Sequence, residues 1–342
     1  MAKEFKKSSL RDTLLDDLER FLHEEGFISD DRLTKGMLQL VNLVADYYEE
    51  GKHLYPEVIV TNDLDGLAFL SPRKVLIKEE KLTVKEFQHA LKLCAPLAVD
   101  GWVIFIEVGK EQVRIGVMTT EKTETTLSLS RQTKNDDSLP DEATFAHIRC
   151  IGQKVVEVVG KKGGIHIYLN LDEEKDLTDN KVESLAKVIV SGCQEDDREK
   201  LSIYFEKVID NALKAGHGNL IGVVEDTPEK KEKALNLLED GIHLQKEIDL
   251  AALIKEAETE KSNVSSVTLR AYTSLMTAML NHDGITLMTD TGKILGYHLF
   301  IKSDQKDEKV MGGARSRAYE AMRKLGLKAC FYKSQDGNMK FE

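Results

Sequence analysis

The sequence predicts an α/β protein built from two domains. Its 342 residues exceed the usual size of a single domain. Apolar residues at helical spacing alternate along the chain with short β-branched runs, which is the pattern of mixed helices and strands. An acidic junction at residues 194–199 separates the two halves. We therefore predict a separate N-terminal α+β domain, residues 1–195, followed by a C-terminal α/β domain, residues 196–342.

Hydrophobic spacing defines the elements of the N-terminal half. It predicts helices over residues 10–21, 34–50, 82–97 and 182–190, and strands over residues 58–61, 102–108, 113–117, 154–159 and 165–169. Thr83 and Glu86 form the pattern of a capping box at the start of the third helix. The polar residues 131–142 predict an exposed loop. No internal repeat is evident in this half.

The C-terminal half alternates helices and strands. Predicted helices cover residues 201–214, 228–239 and 314–325, and predicted strands cover residues 220–224, 285–288, 294–300 and 329–332. Between them, a long helix is expected to direct a set of apolar side chains toward a core: Leu269, Tyr272, Leu275, Met276 and Met279. Strand ends and helix N-termini in such an order favour anion binding, because oriented N–H groups attract negative charge.

Composition restricts the partners and the compartment. The formal net charge of -11 argues against nucleic acid as a partner, because its binding depends on phosphate neutralisation. The four cysteines are widely spaced, which favours reduced thiols over disulfides. No run approaches the ~20 apolar residues of a membrane span, and the N-terminus has no apolar leader. We expect a cytoplasmic protein with no membrane contact.

Three small polar clusters near the C-terminus carry the chemistry of a polyphosphate site. Asp283-Gly284-Ile285 offers a carboxylate that can hold a divalent cation or accept a proton from a hydroxyl. Gly313-Ala314-Arg315-Ser316-Arg317 places two guanidinium groups after two small residues, so that N–H groups and forked side chains can converge on phosphate. Ser334-Gln335-Asp336-Gly337 adds a hydroxyl, an amide and a carboxylate at a turn.

Each cluster also has a purely structural explanation. Asp-Gly and Ser-Gln-Asp-Gly are common turn sequences, and the two arginines could form a solvated helix start. Positive charge at a helix N-terminus opposes the helix dipole, however, so an anionic ligand explains the arginines better.

In order and spacing, the three clusters resemble a diadenylate cyclase domain. The family pattern reads D-G-A, then about thirty residues later G-T-R-H-R, then a Ser-Glu-Glu-like turn; this chain reads D-G-I, G-A-R-S-R and S-Q-D-G. The resemblance begins near Phe205 and covers roughly the last 140 residues. The chain departs from the pattern at Ile285, Ala314 and Ser316, where the family has Ala, Thr and His.

The resemblance implies a mixed sheet flanked by helices and an enzyme that condenses two ATP into cyclic di-AMP and two pyrophosphates. It implies that Asp283 binds Mg²⁺ or Mn²⁺ and activates a 3′-hydroxyl, while Arg315 and Arg317 hold the triphosphate. Two domains would face each other, so a homodimer or larger homo-oligomer is expected. Further nucleotide contacts are expected from Gly284, Ile285, Gly313, Ala314, Ser316, Ser334, Gln335 and Asp336.

Other functions remain open. The departures Ile285 and Ser316 fit a catalytically inert nucleotide-binding sensor that retains the fold, because small misplacements of reacting groups cost much rate. Cyclase activity on another nucleotide pair is the third possibility. Some relatives carry an additional N-terminal domain, so residues 1–195 are expected to bind an unidentified ligand or partner as a sensor, or to act as a dimerisation scaffold.

Two glycine-rich segments do not fit common nucleotide motifs. Residues 216–222 precede a strand instead of following one, which excludes a Rossmann fingerprint. Residues 160–164 lack the Gly-Lys-Ser/Thr ending of a P-loop and predict a hairpin turn, with an anion-binding loop as the alternative. The sequence contains no H-E-x-x-H or G-x-S-x-G motif, which argues against a zinc or serine hydrolase.

Overall fold

The computed structural model of the chain describes residues 9–67, 70, 73–99, 101–134, 144–169, 180–216, 218–302, 313–335 and 337–342. The chain divides into a first unit, Met1–Lys122 with Ser128–Glu174, and a second unit, Thr123–Leu127 with Lys175–Glu342. The division therefore falls well before the predicted boundary at residue 195. The reason is that the helix Lys181–Ile189 packs in the core of the second unit.

The first unit is a sheet with helices packed against both of its faces. Its helices are α1 (Leu10–Glu24), α2 (Asp31–Val44), α3 (Val84–Cys94) and α4 (Leu129–Lys134). Its strands are β1 (Tyr47–Glu49), β2 (Lys52–Leu54), β3 (Val58–Thr61), β4 (Lys74–Lys81), β5 (Trp102–Val108), β6 (Gln112–Thr119), β7 (Phe145–Gly152), β8 (Val155–Val159) and β9 (Gly164–Tyr168). The sheet order is β4-β6-β5-β3-β7-β8-β9, while β1 and β2 form a separate hairpin. Side chains of α1, α2 and α3 pack on one face of the sheet.

Several sequence predictions for this unit need correction. The helix predicted over residues 34–50 is shorter, because the chain turns into the β1-β2 hairpin. Thr83 is the N-cap of α3 but its side chain accepts no capping hydrogen bond, so the capping box was wrong. Part of the predicted loop is helical, since α4 includes residues 131–134; residues 135–142 lie outside the described part of the chain.

The second unit is a mixed sheet flanked by helices. Its helices are α5 (Lys181–Ile189), α6 (Glu195–Ala215), α7 (Pro228–Asn236), α8 (Leu250–Glu260), α9 (Asn263–Leu280) and α10 (Ala314–Arg323). Its strands are β10 (Asn219–Val224), β11 (Leu238–Glu239), β12 (Ile242–Asp249), β13 (Ile285–Thr289), β14 (Lys293–Ile301), β15 (Ala329–Lys333) and β16 (Met339–Phe341). The order is β12-β14-β13-β10-β15-β16, with β11 also on β14. The predicted α/β class and mixed sheet are confirmed.

Apolar residues fill both faces of this sheet. Helices α5, α6, α8 and α9 pack on one face around Phe205, Ile221 and Phe331. Helix α10 and the end of α7 contribute to a second cluster that includes Leu220, Ile285 and Met322. A sheet covered on both faces explains why β10, β13 and β15 are buried along their whole length and consist mostly of apolar residues. The same burial fixes the ends of these strands, where the polar clusters lie.

The two units share one strand topology. The strands that correspond are β3 to β8 in the first unit and β10 with β12 to β16 in the second, numbered here from one to six. In each unit the first strand is parallel to the third and antiparallel to the fifth, and the fourth pairs with the second and third. The order in both sheets is 2-4-3-1-5-6. The turn into the third strand holds a glycine with positive φ in both units, Gly101 (φ 80) and Gly284 (φ 94). Each of these glycines follows an aspartate in the sequence and precedes a Gly-Lys pair by eight residues. The fold is thus a tandem repeat that the sequence pattern did not reveal.

No helix of the described residues combines the length and apolar character that a membrane span requires.

Candidate functional site

The Asp-Gly turn lies at the amino end of the two parallel strands of the second unit. Asp283 and Gly284 connect α9 to β13, and β13 runs parallel to β10. A β carbon on Gly284 would lie 2.9 Å from the carbonyl carbon of His298, and its φ of 94° is unfavourable for other residues. Glycine at this position therefore allows the turn to approach β14 closely. The neighbouring Asp283 side chain is exposed to solvent.

Arg315 connects the Asp-Gly turn to α10. Its Nη2 lies 3.4 Å from Oδ1 of Asp283, and the side chains are 36% and 64% exposed. A β carbon on Gly218, the residue before β10, would lie 3.2 Å from Nη1 of the same guanidinium. An ion pair with this much exposure adds at most about 1 kcal/mol of stability. Exchanging this ion pair for a contact with a ligand therefore costs little stability.

The N-terminus of α10 receives no cap from its own N-cap residue. That residue is Gly313, which has no side chain to accept a hydrogen bond from the first turn. Ala314 and Arg317 are exposed, and Ser316 is half-buried. Within the described part of the chain, no ion pair to the Arg317 guanidinium is found. The N–H groups of a helix start and two guanidinium groups together form the kind of site that binds phosphate.

The third cluster is a tight turn at the same sheet edge. The N–H of Ser334 donates to the carbonyl of Asn338 at 2.8 Å, and Oγ of Ser334 accepts from the N–H of Asn338 at 2.9 Å. The turn follows β15, whose last residue pairs with the first residue of β10. Gln335 is exposed, while Asp336 lies outside the described residues. The Ser334 hydroxyl thus has a structural role, with lone-pair capacity left for a ligand.

Ile285 does not line this edge with its side chain. It is 1% exposed and packs in the apolar cluster that includes Leu220 and Leu299. The Ile285 side chain, which is larger than the Ala of the family pattern, is therefore held inside the core. Only the backbone of Ile285 adjoins the Asp-Gly turn.

Two histidines beside Asp283 were not singled out from the sequence. Nδ1 of His298 lies 2.6 Å from the carbonyl oxygen of Asp283, and Nδ1 of His282 lies 3.3 Å from it and 3.1 Å from Nδ1 of His298. A carbonyl oxygen accepts only, so Nδ1 of His298 carries a proton, and Nε2 holds the lone pair in the neutral ring. His282 adjoins Asp283 in the sequence, which was an available signal. His298 lies within a strand and offered none.

The residues present suit a divalent cation only together with a nucleotide. Among the described residues, no three His, Cys, Asp or Glu side chains are arranged to hold a metal ion. Mg²⁺ is commonly held by one or two carboxylates and by substrate phosphate oxygens. The exposed carboxylate of Asp283 fits that role, and phosphate would supply the other ligands.

The opposite sheet edge carries a closed ion-pair network. The Asp226 carboxylate contacts Lys231 at 2.8 Å and Lys293 at 2.7 Å, and it accepts from Thr291 at 2.6 Å. Burial opposes ionisation of Asp226, but these hydrogen bonds outweigh it and hold its pKa well below the usual range. Asp290 is likewise bound by Lys328 at 2.7 Å. The charged groups of this network bind one another and so stabilise the carboxyl ends of the strands. The candidate site therefore lies at the amino ends.

The glycine-rich loop of the first unit is a hairpin turn that binds an internal anion. Backbone N–H groups of Lys161, Lys162 and Gly163 donate to the Glu25 carboxylate at 2.7, 2.9 and 3.0 Å. A β carbon on Gly160 would lie 2.2 Å from the carboxyl carbon of Glu25. The loop is therefore a hairpin turn, and it also binds an anion, which is the carboxylate of Glu25.

Comparison with known proteins does not assign the chain to a family. No protein-family model matches it, and no curated protein matches it.

Proposed function

We propose that the second unit is a diadenylate cyclase that condenses two ATP molecules into cyclic di-AMP and two pyrophosphates. One observation carries the proposal. The carboxylate of Asp283, the arginine-bearing N-terminus of α10 and the Ser334 turn meet at one edge of the sheet, although about fifty residues separate the first from the last in the sequence. Such a set pairs an acceptor for a proton with donors for a polyphosphate.

Each group has a defined role in the proposed reaction. The 3′-oxygen of one nucleotide forms a bond to the α-phosphorus of the other, the bond from that phosphorus to pyrophosphate breaks, and the 3′-proton passes to a base. The same displacement with the two nucleotides exchanged closes the ring and releases the second pyrophosphate. Asp283 is that base, since its carboxylate accepts protons and projects into solvent. Arg315 and Arg317 bind the triphosphate and offset the charge that develops on the leaving pyrophosphate. A bound Mg²⁺ or Mn²⁺ would supply additional charge neutralisation at the phosphates.

The proposal explains the Asp283–Arg315 contact as a resting arrangement. The two side chains approach at 3.4 Å while both remain partly exposed. A triphosphate would compete with Asp283 for the guanidinium, and its arrival would release the carboxylate for proton transfer. Binding and base activation are then coupled through one arginine.

Asp283→Asn tests this assignment, with Asp240→Asn as the matched control at an exposed turn of the same unit. We expect Asp283→Asn to reduce turnover by at least about a hundredfold, in the range typical of a general base, while ATP affinity changes little. The control should retain both. Equal losses of ATP affinity and turnover in Asp283→Asn would contradict the role of base.

A catalytically inert nucleotide-binding sensor is the second candidate function. It is favoured by the mutual neutralisation of Asp283 and Arg315 and by Ser316, which has no imidazole. A sensor would bind ATP with no product even at high protein concentration, and Ser316→His would then be expected to restore turnover. Ile285→Ala is not a useful reversion, because truncating a buried Ile costs about 2–5 kcal/mol of stability.

A further inference from the structure

One face of the first unit's sheet changes from apolar to ionisable at the β7-β8-β9 end. Toward α1, α2 and α3, these strands present apolar side chains, such as Ile148 and Val158. The side chains that alternate with them point to the other face: His147, Arg149, Glu157 and His166. Nearer the middle of the sheet, that face carries an apolar cluster that includes Phe105 and Met118. Ionisable groups thus replace an apolar layer, and burying them costs free energy unless they are paired.

Glu157 is the centre of this group and is 3% exposed. Its Oε1 accepts from Nζ of Lys134 at 2.6 Å and from Nε2 of His166 at 3.1 Å. Its Oε2 accepts from Nε of Arg149 at 2.8 Å. Burial opposes the ionisation of Glu157, but the charge of Arg149 and the hydrogen bonds outweigh it and lower the pKa to about 2. Among these four side chains, one negative charge therefore meets two permanent positive charges.

The same side chains border a groove of about 390 Å³ in the first unit. Its walls are the end of α4, with Thr133 and Lys134, and the β8-β9 hairpin over residues 159–166. Among the described residues that line it, the ionisable ones are three lysines, one histidine and one glutamate: Lys134, Lys161, Lys162, His166 and Glu157. In the whole chain, by contrast, 59 acidic residues outnumber 48 basic ones. The groove is therefore basic in an acidic chain, and its volume is that of a small-molecule pocket.

Both walls of the groove are ordered by contacts within the first unit. The hairpin is fixed to the end of α1, because three of its backbone N–H groups bind the Glu25 carboxylate and Nζ of Lys162 donates to the Glu24 carbonyl at 2.7 Å. On the other wall, Glu157 holds the ammonium group of Lys134. An ammonium group has three N–H donors, so Lys134 can bind Glu157 and a ligand at the same time. Walls that are ordered in advance lower the entropic cost of binding.

We propose that this groove binds a small phosphate ester, with the phosphate group at Lys134 and Lys161 and the organic part against Val159 and Ile165. A phosphate monoester carries up to two negative charges at neutral pH, which matches two lysines. Lysine binds phosphate as a point charge with rotatable donors. Glu157 is a positioning residue, since it orients Lys134 and is itself buried beneath its partners. The proposal concerns the first unit alone and does not depend on the reaction proposed for the second.

Isothermal titration calorimetry of the full chain with phenyl phosphate tests the proposal, with inorganic phosphate and phenol as probes of the two halves of the ligand. Lys134→Gln and Lys161→Gln each remove one positive charge, and Lys134→Arg keeps the charge. Lys161→Gln leaves the contacts of Glu157 intact, so it tests the site even if Lys134→Gln fails to fold. Lys92→Gln, at an exposed position of α3, is the matched control. Arg317→Gln identifies phosphate binding at the N-terminus of α10. Thermal unfolding shows which variants are folded.

We expect one phenyl phosphate site that Lys92→Gln and Arg317→Gln retain with the wild-type Kd. Lys134→Gln and Lys161→Gln should each raise this Kd about tenfold or more, because each loses a charge-assisted hydrogen bond, whereas Lys134→Arg should stay within a few fold of wild type. Inorganic phosphate should bind more weakly than phenyl phosphate, and phenol should not bind. The absence of binding to wild type at millimolar phenyl phosphate overturns the proposal. So does binding that is lost only in Arg317→Gln, or that the lysine variants all retain.

Discussion

Replacing Asp226 with Asn should destabilise the second unit, because this carboxylate links three elements. It contacts Lys231 of α7, Lys293 of β14 and Thr291 of the turn before β14, and its side chain is 12% exposed. Truncating one partner of a buried ion pair typically costs 3–5 kcal/mol. Lys231 keeps Glu247 at 2.7 Å, so we expect a smaller loss, about 2–3 kcal/mol.

The pH dependence of this effect has a definite sign. The folded-state pKa of Asp226 is lowered below its unfolded value, so its contribution is complete above the unfolded pKa of about 3.9. It is lost as the pH falls below that value toward the folded-state pKa. The difference in unfolding free energy between wild type and Asp226→Asn should therefore be constant from about pH 8 to pH 5 and shrink below about pH 4.

Urea unfolding followed by far-UV circular dichroism measures the difference, with Asp240→Asn as the control at an exposed position. Asp240→Asn should match wild type within about 0.5 kcal/mol. If Asp226→Asn also matches wild type at neutral pH, the network contributes nothing and the reasoning fails. A difference that is unchanged in strong acid would mean that the effect does not come from the carboxylate charge.

Three further outcomes are expected. Gly160→Ala should destabilise the first unit by about 1–3 kcal/mol in urea unfolding, because its β carbon would displace the buried Glu25 carboxylate; Gly163→Ala, where no atom lies within 4 Å, should not. The fragment 180–342 should unfold cooperatively on heating, whereas 196–342 should not, because it loses five core residues of the α5 segment, of which the Val, Leu and Ile side chains are each worth up to about 1.5–3 kcal/mol; equal melting of the two would contradict the position of α5. If the enzyme works as a weak dimer, product formed per subunit should fall on dilution, and concentration-independent activity would exclude that mechanism.

The buried strands were predictable from the sequence because burial imposes a local pattern. β10, β13 and β15 are buried throughout and mostly apolar, and the strands of the hairpins β5-β6 and β13-β14 were all predicted. The edge strand β9 was predicted, but the edge strands β4 and β12 were not. β4 is almost entirely exposed and half of the residues of β12 are exposed, which means that neither needs an apolar pattern. Their position is fixed by pairing with β6 and β14, and the sequence carries no local signal of that pairing.

The candidate site was predictable in its motifs but not in its surroundings. The Asp-Gly pair indicates a turn from sequence alone, and the helical pattern that starts near residue 314 indicates the N-terminus of α10. His298 comes from a different strand, and its contact with Asp283 depends on tertiary packing. Tyr272 and Leu275 are 37% and 42% exposed, and their assignment to the core was wrong because helical spacing identifies an apolar face but not what covers it. The repeated topology was equally hidden, since strand pairing can persist after sequence similarity is lost.

Product formation by the full-length protein tests the central claim most directly. The purified chain is incubated at high concentration with ATP and either Mg²⁺ or Mn²⁺, and the products are resolved by liquid chromatography and mass spectrometry. The account predicts cyclic di-AMP with two pyrophosphates released per molecule of product, and at least about a hundredfold less product from Asp283→Asn. Absence of cyclic di-AMP with both metals, from a protein that binds ATP and is dimeric under the assay conditions, would contradict it.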